Sequence, residues 1–226
     1  MKEPNRVLLL VGSPRGPKST SESLGAHLLL KLHGYGLKTE KVYIHTSMKS
    51  DEDCASLLQA VDSSDLLVLA FPLYVDSLPS PVIAALELIA EHRKASKKPK
   101  RQKLVAISNS GFPEARQSDT ALAICRRFAS ETGLEWAGGL AFGEGEAIGG
   151  TPLENAGGMV RNVKRALDLT ATALAEDKPV PEEAKGLMAK HIVPIWMYVW
   201  FAGRRWKRKA KKHGAQNKLH DRPYQK

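Results

Sequence analysis

The chain has 226 residues, 42% of them apolar, enough for one generous domain plus an extension, and this composition excludes disorder over the whole length. Its formal charge of +10 is concentrated at one end: residues 203–226 carry ten Lys or Arg and a single acid, Asp221, whereas residues 1–202 carry 24 basic against 23 acidic side chains. Two cysteines without Cys-x-x-Cys spacing and seven histidines without a His-x-His or His-Glu-x-x-His pattern build neither a zinc site nor a Cys-ligated iron–sulfur cluster, so no metal is expected.

The first element is the aliphatic run Val7–Val11, bounded by Gly12, Ser13, Pro14 and Arg15, which predicts a strand buried on both faces. The hydroxyl cluster Ser19, Thr20, Ser21 then opens an apolar-periodic run through Leu24, Leu28 and Leu32, the signature of a helix N-terminus. Backbone N–H groups and the positive dipole end of such a helix form an anion site, here with Ser13, Ser19, Thr20, Ser21 and Arg15 around it. A triphosphate loop is excluded by spacing, because three residues rather than four separate Gly12 from Gly16, and Pro17, which has no N–H, stands before Lys18. No acid ends the third strand, Leu66–Phe71, where a magnesium-binding Asp would be expected, so a single terminal phosphate suits the loop better.

Further strands are predicted at Val42–Ile44, short and flanked by charges as an edge would be, at Leu104–Ser108 and at Leu134–Phe142. Helical periodicities lie between and after them at Leu57–Val61, Val82–Ala90 behind a Ser80 cap and Pro81, Ala121–Ala129 behind Ser118 and Asp119, and Met159–Leu174. Strict alternation implies parallel strands and right-handed crossovers, an α/β sandwich of three layers with a five-stranded sheet in the flavodoxin-like order 2-1-3-4-5. In that order the ligand crevice lies at the carboxyl ends of strands 1 and 3, and the loops there are chemically distinctive. Strand 3 is followed by Pro72-Leu73-Tyr74-Val75-Asp76-Ser77-Leu78 and strand 4 by Asn109-Ser110-Gly111-Phe112-Pro113-Glu114. The former mixes a flat aromatic with stiff prolines, as a wall against a planar heterocycle requires. Gly143 to Gly150 is glycine-rich but spaced too widely for a dinucleotide fingerprint, and is expected to be a flexible loop, one that could shape a partner subunit's pocket.

Gly12-Ser13-Pro14-Arg15 with Ser19-Thr20-Ser21, then Pro72-Leu73-Tyr74, then Asn109 to Glu114, resemble in order and spacing the NADPH-dependent FMN reductase branch of the flavodoxin-like flavoproteins, over residues from about 6 to 175. The resemblance implies FMN as cofactor and NAD(P)H as cosubstrate. It implies that Ser13, Pro14, Arg15, Ser19, Thr20 and Ser21 hold the phosphate, that Pro72, Leu73, Tyr74, Val75, Asp76 and Leu78 border the ring, and that Asn109, Ser110, Gly111, Phe112 and Glu114 close its other edge. A related group, the iron–sulfur flavoproteins, carries a cysteine cluster after strand 2 where this chain has only Cys54, so electron transfer through a cluster is not expected. The implied activity is an FMN-dependent NAD(P)H oxidoreductase serving a small acceptor such as a quinone or a second flavin. A flavodoxin-type carrier or a flavin-binding module without turnover is the alternative, weighed down slightly by the neutral core.

The domain reading is a flavin-binding domain over 1–176, a linker over 177–185 and an extension over 186–226. Pro179 and Pro181 among charges suggest the linker. The extension is expected to be helical; it holds three of the four tryptophans ahead of its basic run, an apolar patch that something must cover. The parent domain or a second subunit is the favoured cover, making a homodimer or higher homo-oligomer; an anionic membrane face is the next, and nucleic acid the weakest for want of any fold signature. The apolar run is about a dozen residues, short of the ~20 that span a bilayer. The N-terminus reads straight into the first strand without a signal peptide, and with the unpaired cysteines this points to a cytoplasmic protein.

Overall fold

The computed structural model describes residues 5–96 and 100–222. Five strands, β1 (Arg6–Val11), β2 (Lys38–Tyr43), β3 (Leu66–Pro72), β4 (Lys103–Asn109) and β5 (Glu135–Phe142), form one all-parallel sheet in the order β2-β1-β3-β4-β5. The helices are α1 (Thr20–Gly34), α2 (Asp51–Ser63), α3 (Ser80–Ala95), α4 (Asp119–Thr132), α5 (Gly145–Ile148), α6 (Arg161–Ala175), α7 (Glu182–Met188) and α8 (Ile195–Lys212). The two-residue period of β1 sorts the core into two halves. Val7, Leu9 and Val11 pack with Leu24, Leu28 and Leu32 of α1 and with Val163 and Leu167 of α6, whereas Leu8 and Leu10 join Leu57, Val61, Val82, Ile89 and Cys125 from α2, α3 and α4 on the other face. Covering both faces is what allows the strands to be aliphatic throughout.

Elements run longer than their apolar runs, because the exposed ends of β2 and the helices carry polar residues that the periodicity does not count. Ser80 does not cap α3: it is the first helical residue, after Pro79. Ser118 likewise makes no cap bond and pairs its hydroxyl with Ser108 at 2.9 Å inside the core.

The linker reading is corrected by the packing. Val180, Ala184 and Met188 are all buried in the same core half as Val7, Leu9 and Val11, and the Val180 N–H donates to Ala137 O of β5 at 2.8 Å. The prolines straighten this segment along the sheet edge without freeing it. The compact unit continues to Ile192, and a second unit begins at Val193 with α8 as its helix. Among the described residues, no helix is long and apolar enough to cross a membrane. Cys54 is half-buried; burial pushes the Cys125 thiol up to about 12, so that thiol behaves as a small core hydrophobe.

His27 bridges two carboxylates from inside the fold. It is 3% exposed on α1, with Nδ1 2.7 Å from Glu154 Oε1 and Nε2 3.0 Å from Asp168 Oδ1, tying α1 to α6 and to the loop before it. Both ring nitrogens donate at once only when the ring carries its second proton. The His27 hydrogen bond, followed by a smaller opposing effect of burial, holds the Glu154 carboxyl below the ordinary carboxylate range. A depressed carboxyl gives stability that is present above its unfolded value of about 4.3 and lost as pH falls through the folded value. His27→Gln should therefore lower stability at neutral pH and flatten its loss on acidification, as read from denaturant midpoints between about pH 3 and pH 6; an unchanged acid limb would show that the bridge carries no such coupling.

Candidate functional site

The chain leaves β1 at Ser13, 3% exposed, and turns tightly, with the Gly16 N–H donating to Ser13 O at 3.1 Å and the Arg15 N–H to Ser13 Oγ at 3.3 Å. Ser19 caps α1. Its Oγ accepts the Glu22 N–H at 3.1 Å and donates to Gly16 O at 2.7 Å, so that hydroxyl is committed to the fold. Thr20 Oγ1 is likewise committed, donating to Gly145 O at 2.7 Å. The other two hydroxyls differ, because Ser13 Oγ and Ser21 Oγ both act as acceptors in these contacts and keep a proton to give. The N–H groups of Thr20 and Ser21, which precede the first intrahelical bond from Ser23 to Ser19 and the Glu22 cap bond, lie at the positive end of the helix.

Asn109, 6% exposed at the end of β4, joins the loops. Its Nδ2 donates to Ser21 Oγ at 2.7 Å and to Phe71 O of β3 at 3.0 Å, while its own carbonyl accepts the Leu73 N–H at 2.7 Å. Reversing the amide would set its oxygen against the Phe71 carbonyl, so the neighbours fix the orientation. Beyond Leu73 the chain makes a two-residue hairpin in which Tyr74 and Ser77 exchange N–H···O bonds of 2.9 and 3.1 Å, with Val75 at φ 49° and Asp76 at φ 59°. A β-branched residue in the left-handed region is strained by about 1–3 kcal/mol, and Val75 is 97% exposed there.

The glycine-rich segment after β5 is a correction to the flexible loop expected of it. Its backbone docks on the neighbouring loops: the Glu144 N–H donates to Phe112 O and the Gly145 N–H to Ser110 O, both at 2.8 Å. A Cβ on Gly143 would lie 2.2 Å from Pro113 O, and one on Gly150, at φ +82°, 2.4 Å from Lys18 O, so the glycines are there for close backbone approach. Glu144, buried to 1% exposure, accepts the Ile192 N–H on Oε2 at 2.6 Å, which fastens the end of the first unit to this loop.

Together these loops form the walls of a crevice that is open to solvent on one side. Of the residues expected from sequence, Ser13, Arg15, Ser19, Thr20, Ser21, Pro72, Leu73, Tyr74, Asn109, Ser110 and Gly111 line it. Pro14 lies on the outside of its turn, Val75 and Asp76 form the hairpin tip, and Leu78 is buried in the core on the α3 side. Phe112 is exposed, and Glu114 precedes the 3-10 turn 115–118, its carbonyl accepting the Gln117 N–H; neither lines the crevice. Gly145 and Glu146 line it without having been expected, and Glu146 Oε1 lies 3.6 Å from Arg15 Nη2 at the rim. The close pair Gly143 and Gly145 directly after a strand was their available signal.

A doubly wound, all-parallel five-stranded sheet with the crevice at its topological switch point defines an α/β protein of the flavodoxin-like class. The chain belongs to a flavodoxin-like fold family, whose model matches residues 5–140. Among solved structures it is similar to an FMN-dependent NADH-azoreductase from Bacillus anthracis in complex with FMN, with TM-score 0.54 and 13% identity over 76% of this chain and 99% of that one. It is also similar to an NAD(P)H:quinone oxidoreductase from Methanothermobacter marburgensis (TM-score 0.53, 13% identity, 76% and 96% covered) and to a Trp repressor binding protein from Bacillus subtilis (0.53, 12%, 72% and 94%). At such identities the likeness is one of fold. No curated protein sequence matches the chain.

Because Asn109 satisfies two buried acceptors at once, Asn109→Ala should destabilise the first unit by about 2–4 kcal/mol, read as a drop in denaturant midpoint at constant slope. A loss below about 1 kcal/mol would mean the loops hold one another without it.

Proposed function

We propose that the crevice binds FMN by its phosphate end and that the protein is an NAD(P)H-dependent FMN oxidoreductase with a small acceptor such as a quinone or a second flavin. The observation that carries this reading is the division of labour among the four buried hydroxyls. Ser19 and Thr20 build the loop, leaving Ser13, Ser21 and the helix N-terminus to face an oxyanion, with Arg15, paired to Glu146 at the rim, beside them. The donor set suits a monoanionic or dianionic terminal phosphate, and Pro72, Leu73 and Tyr74 supply a flat, largely apolar wall beyond it. Similar folds that bind FMN or use NAD(P)H support the reading.

When bound, FMN supplies the two-electron chemistry, taking hydride from a nicotinamide and passing electrons on. The chain's residues orient and enclose it. Ser13, Ser21 and Arg15 fix the phosphate, Asn109 sets the spacing between that end and the ring wall, and the docked 143–150 segment shuts water out from one side. The crevice is lined by Arg15, Tyr74 and Glu146 as its only ionisable side chains among the described residues, so no catalytic acid or base is assigned. Tyr74, Val75 and Phe112, exposed around the rim, offer the surface on which a second copy would close the site in a homodimer.

The serines give the test. A hydrogen bond to a charged group is worth about 1.5–3 kcal/mol, so Ser13→Ala with Ser21→Ala should weaken FMN by about two to four powers of ten and leave riboflavin, which lacks the phosphate, nearly unchanged. Ser19→Ala should act instead on stability, as loss of a helix cap does. Equal losses for FMN and riboflavin in titrations of the Ser13/Ser21 double variant would show that the loop does not read the phosphate.

A further inference from the structure

We propose that the second unit is an interfacial membrane-binding element, with α8 lying in the headgroup region of an anionic lipid bilayer. The proposal is independent of the flavin reading. From Ile192 to Gly203 the sequence carries no charged side chain, and from Ala184 to His220 it carries no acid at all against ten Lys or Arg. Structure turns this composition into a directional surface. Trp196, Val199, Gly203 and Trp206 follow at intervals of three and four residues and so share one face of α8, with Trp200 on its flank. Trp196 and Trp206 are each 70% exposed, Val199 60% and Trp200 50%. Arg205, Arg208, Lys209 and Lys212 share the opposite face by the same spacing. The Arg204 guanidinium lies over the Trp200 ring, 4.3 Å from its centroid, at the junction of the uncharged and basic stretches.

Charge selects among the occupants of this face. A second copy of the helix packed parallel on the stripe would align two basic halves with no acid on either to neutralise them, and antiparallel packing would set the basic half of each against the uncharged half of the other. Nucleic acid would take the basic face and leave Trp196 and Val199 bare in water. An anionic bilayer answers both halves: indole rings are at home at headgroup depth, and Lys and Arg stems reach the lipid phosphates while covering apolar surface. The helix is too short in apolar residues to span, so it lies on the surface. Low hydrophobicity with many cations is the pattern of reversible, charge-dependent adsorption.

The test uses the full chain, whose tryptophan emission comes mostly from this element, since Trp136 is the only indole outside it. Vesicles of phosphatidylcholine with about one-third phosphatidylglycerol should sediment the protein and shift its emission to the blue at low ionic strength, pure phosphatidylcholine should do so far less, and added salt should release it. Changing Arg208, Lys209, Lys211 and Lys212 together to Gln should weaken binding to the anionic vesicles by about two to three powers of ten. Trp196→Ala with Trp200→Ala should abolish the blue shift and leave a weaker, wholly salt-sensitive adsorption. These side chains are themselves exposed and belong to the second unit, so the first unit's unfolding midpoint serves as the control and should not move. Failure of the intact chain to bind anionic vesicles at low salt would overturn the proposal. So would equal binding to neutral vesicles, or a concentration-dependent dimer that the Trp variant abolishes while vesicle binding is missing.

Discussion

The side-chain amide of Asn109 is the constraint on which the site depends. One nitrogen donates to Ser21 Oγ at the head of α1 and to the Phe71 carbonyl at the end of β3, and the backbone carbonyl of the same residue receives Leu73. Three chain crossings that approach the carboxyl edge of the sheet independently are thereby held within hydrogen-bond distance of one residue, in a place where an unmet donor or acceptor is costly. The consequence reaches past stability. Ser21 is engaged as an acceptor, so its proton is not used in this bond, and the head of α1 is tied to the strand end that carries the wall of Pro72, Leu73 and Tyr74.

That arrangement explains why the site is assembled from short loops on a stiff sheet. β1 and β3 are aliphatic on both faces and buried between two helical layers, so their ends do not drift, and the strain stored at Val75 can be borne by the hairpin that rests on them. The 143–150 segment adds a fourth side, brought close by glycines whose missing Cβ atoms allow backbone to meet backbone. Within it, Glu144 links this closure to Ile192, where the first unit ends.

Much of this was legible in the residues. Aliphatic runs alternating with helical periods pointed to the strand order, and the hydroxyl cluster after β1 pointed to a loop that lines the crevice, because both are local patterns with a direct physical cause. What escaped was non-local. Nothing in the sequence near Leu78 says that it turns inward beneath α3, nor does His27 announce the two carboxylates that meet it from 127 and 141 residues away. Val180 and Met188 sit among charges and prolines, and only the groove along β5 makes them core. Likewise the four hydroxyls of the first loop look equivalent in sequence; their partners divide them into two that donate to the fold and two that only accept from it.

FMN held in the crevice within reach of a nicotinamide would report its own oxidation state by colour. The most direct measurement is the visible absorbance of the purified, FMN-saturated protein under anaerobic NADH or NADPH. The account predicts a yellow protein that bleaches rapidly with at least one of the two and recovers its colour when a quinone is added. A protein that takes up no FMN would contradict the site, and one that binds FMN yet stays yellow with both nicotinamides would contradict the reductase and leave a carrier in its place.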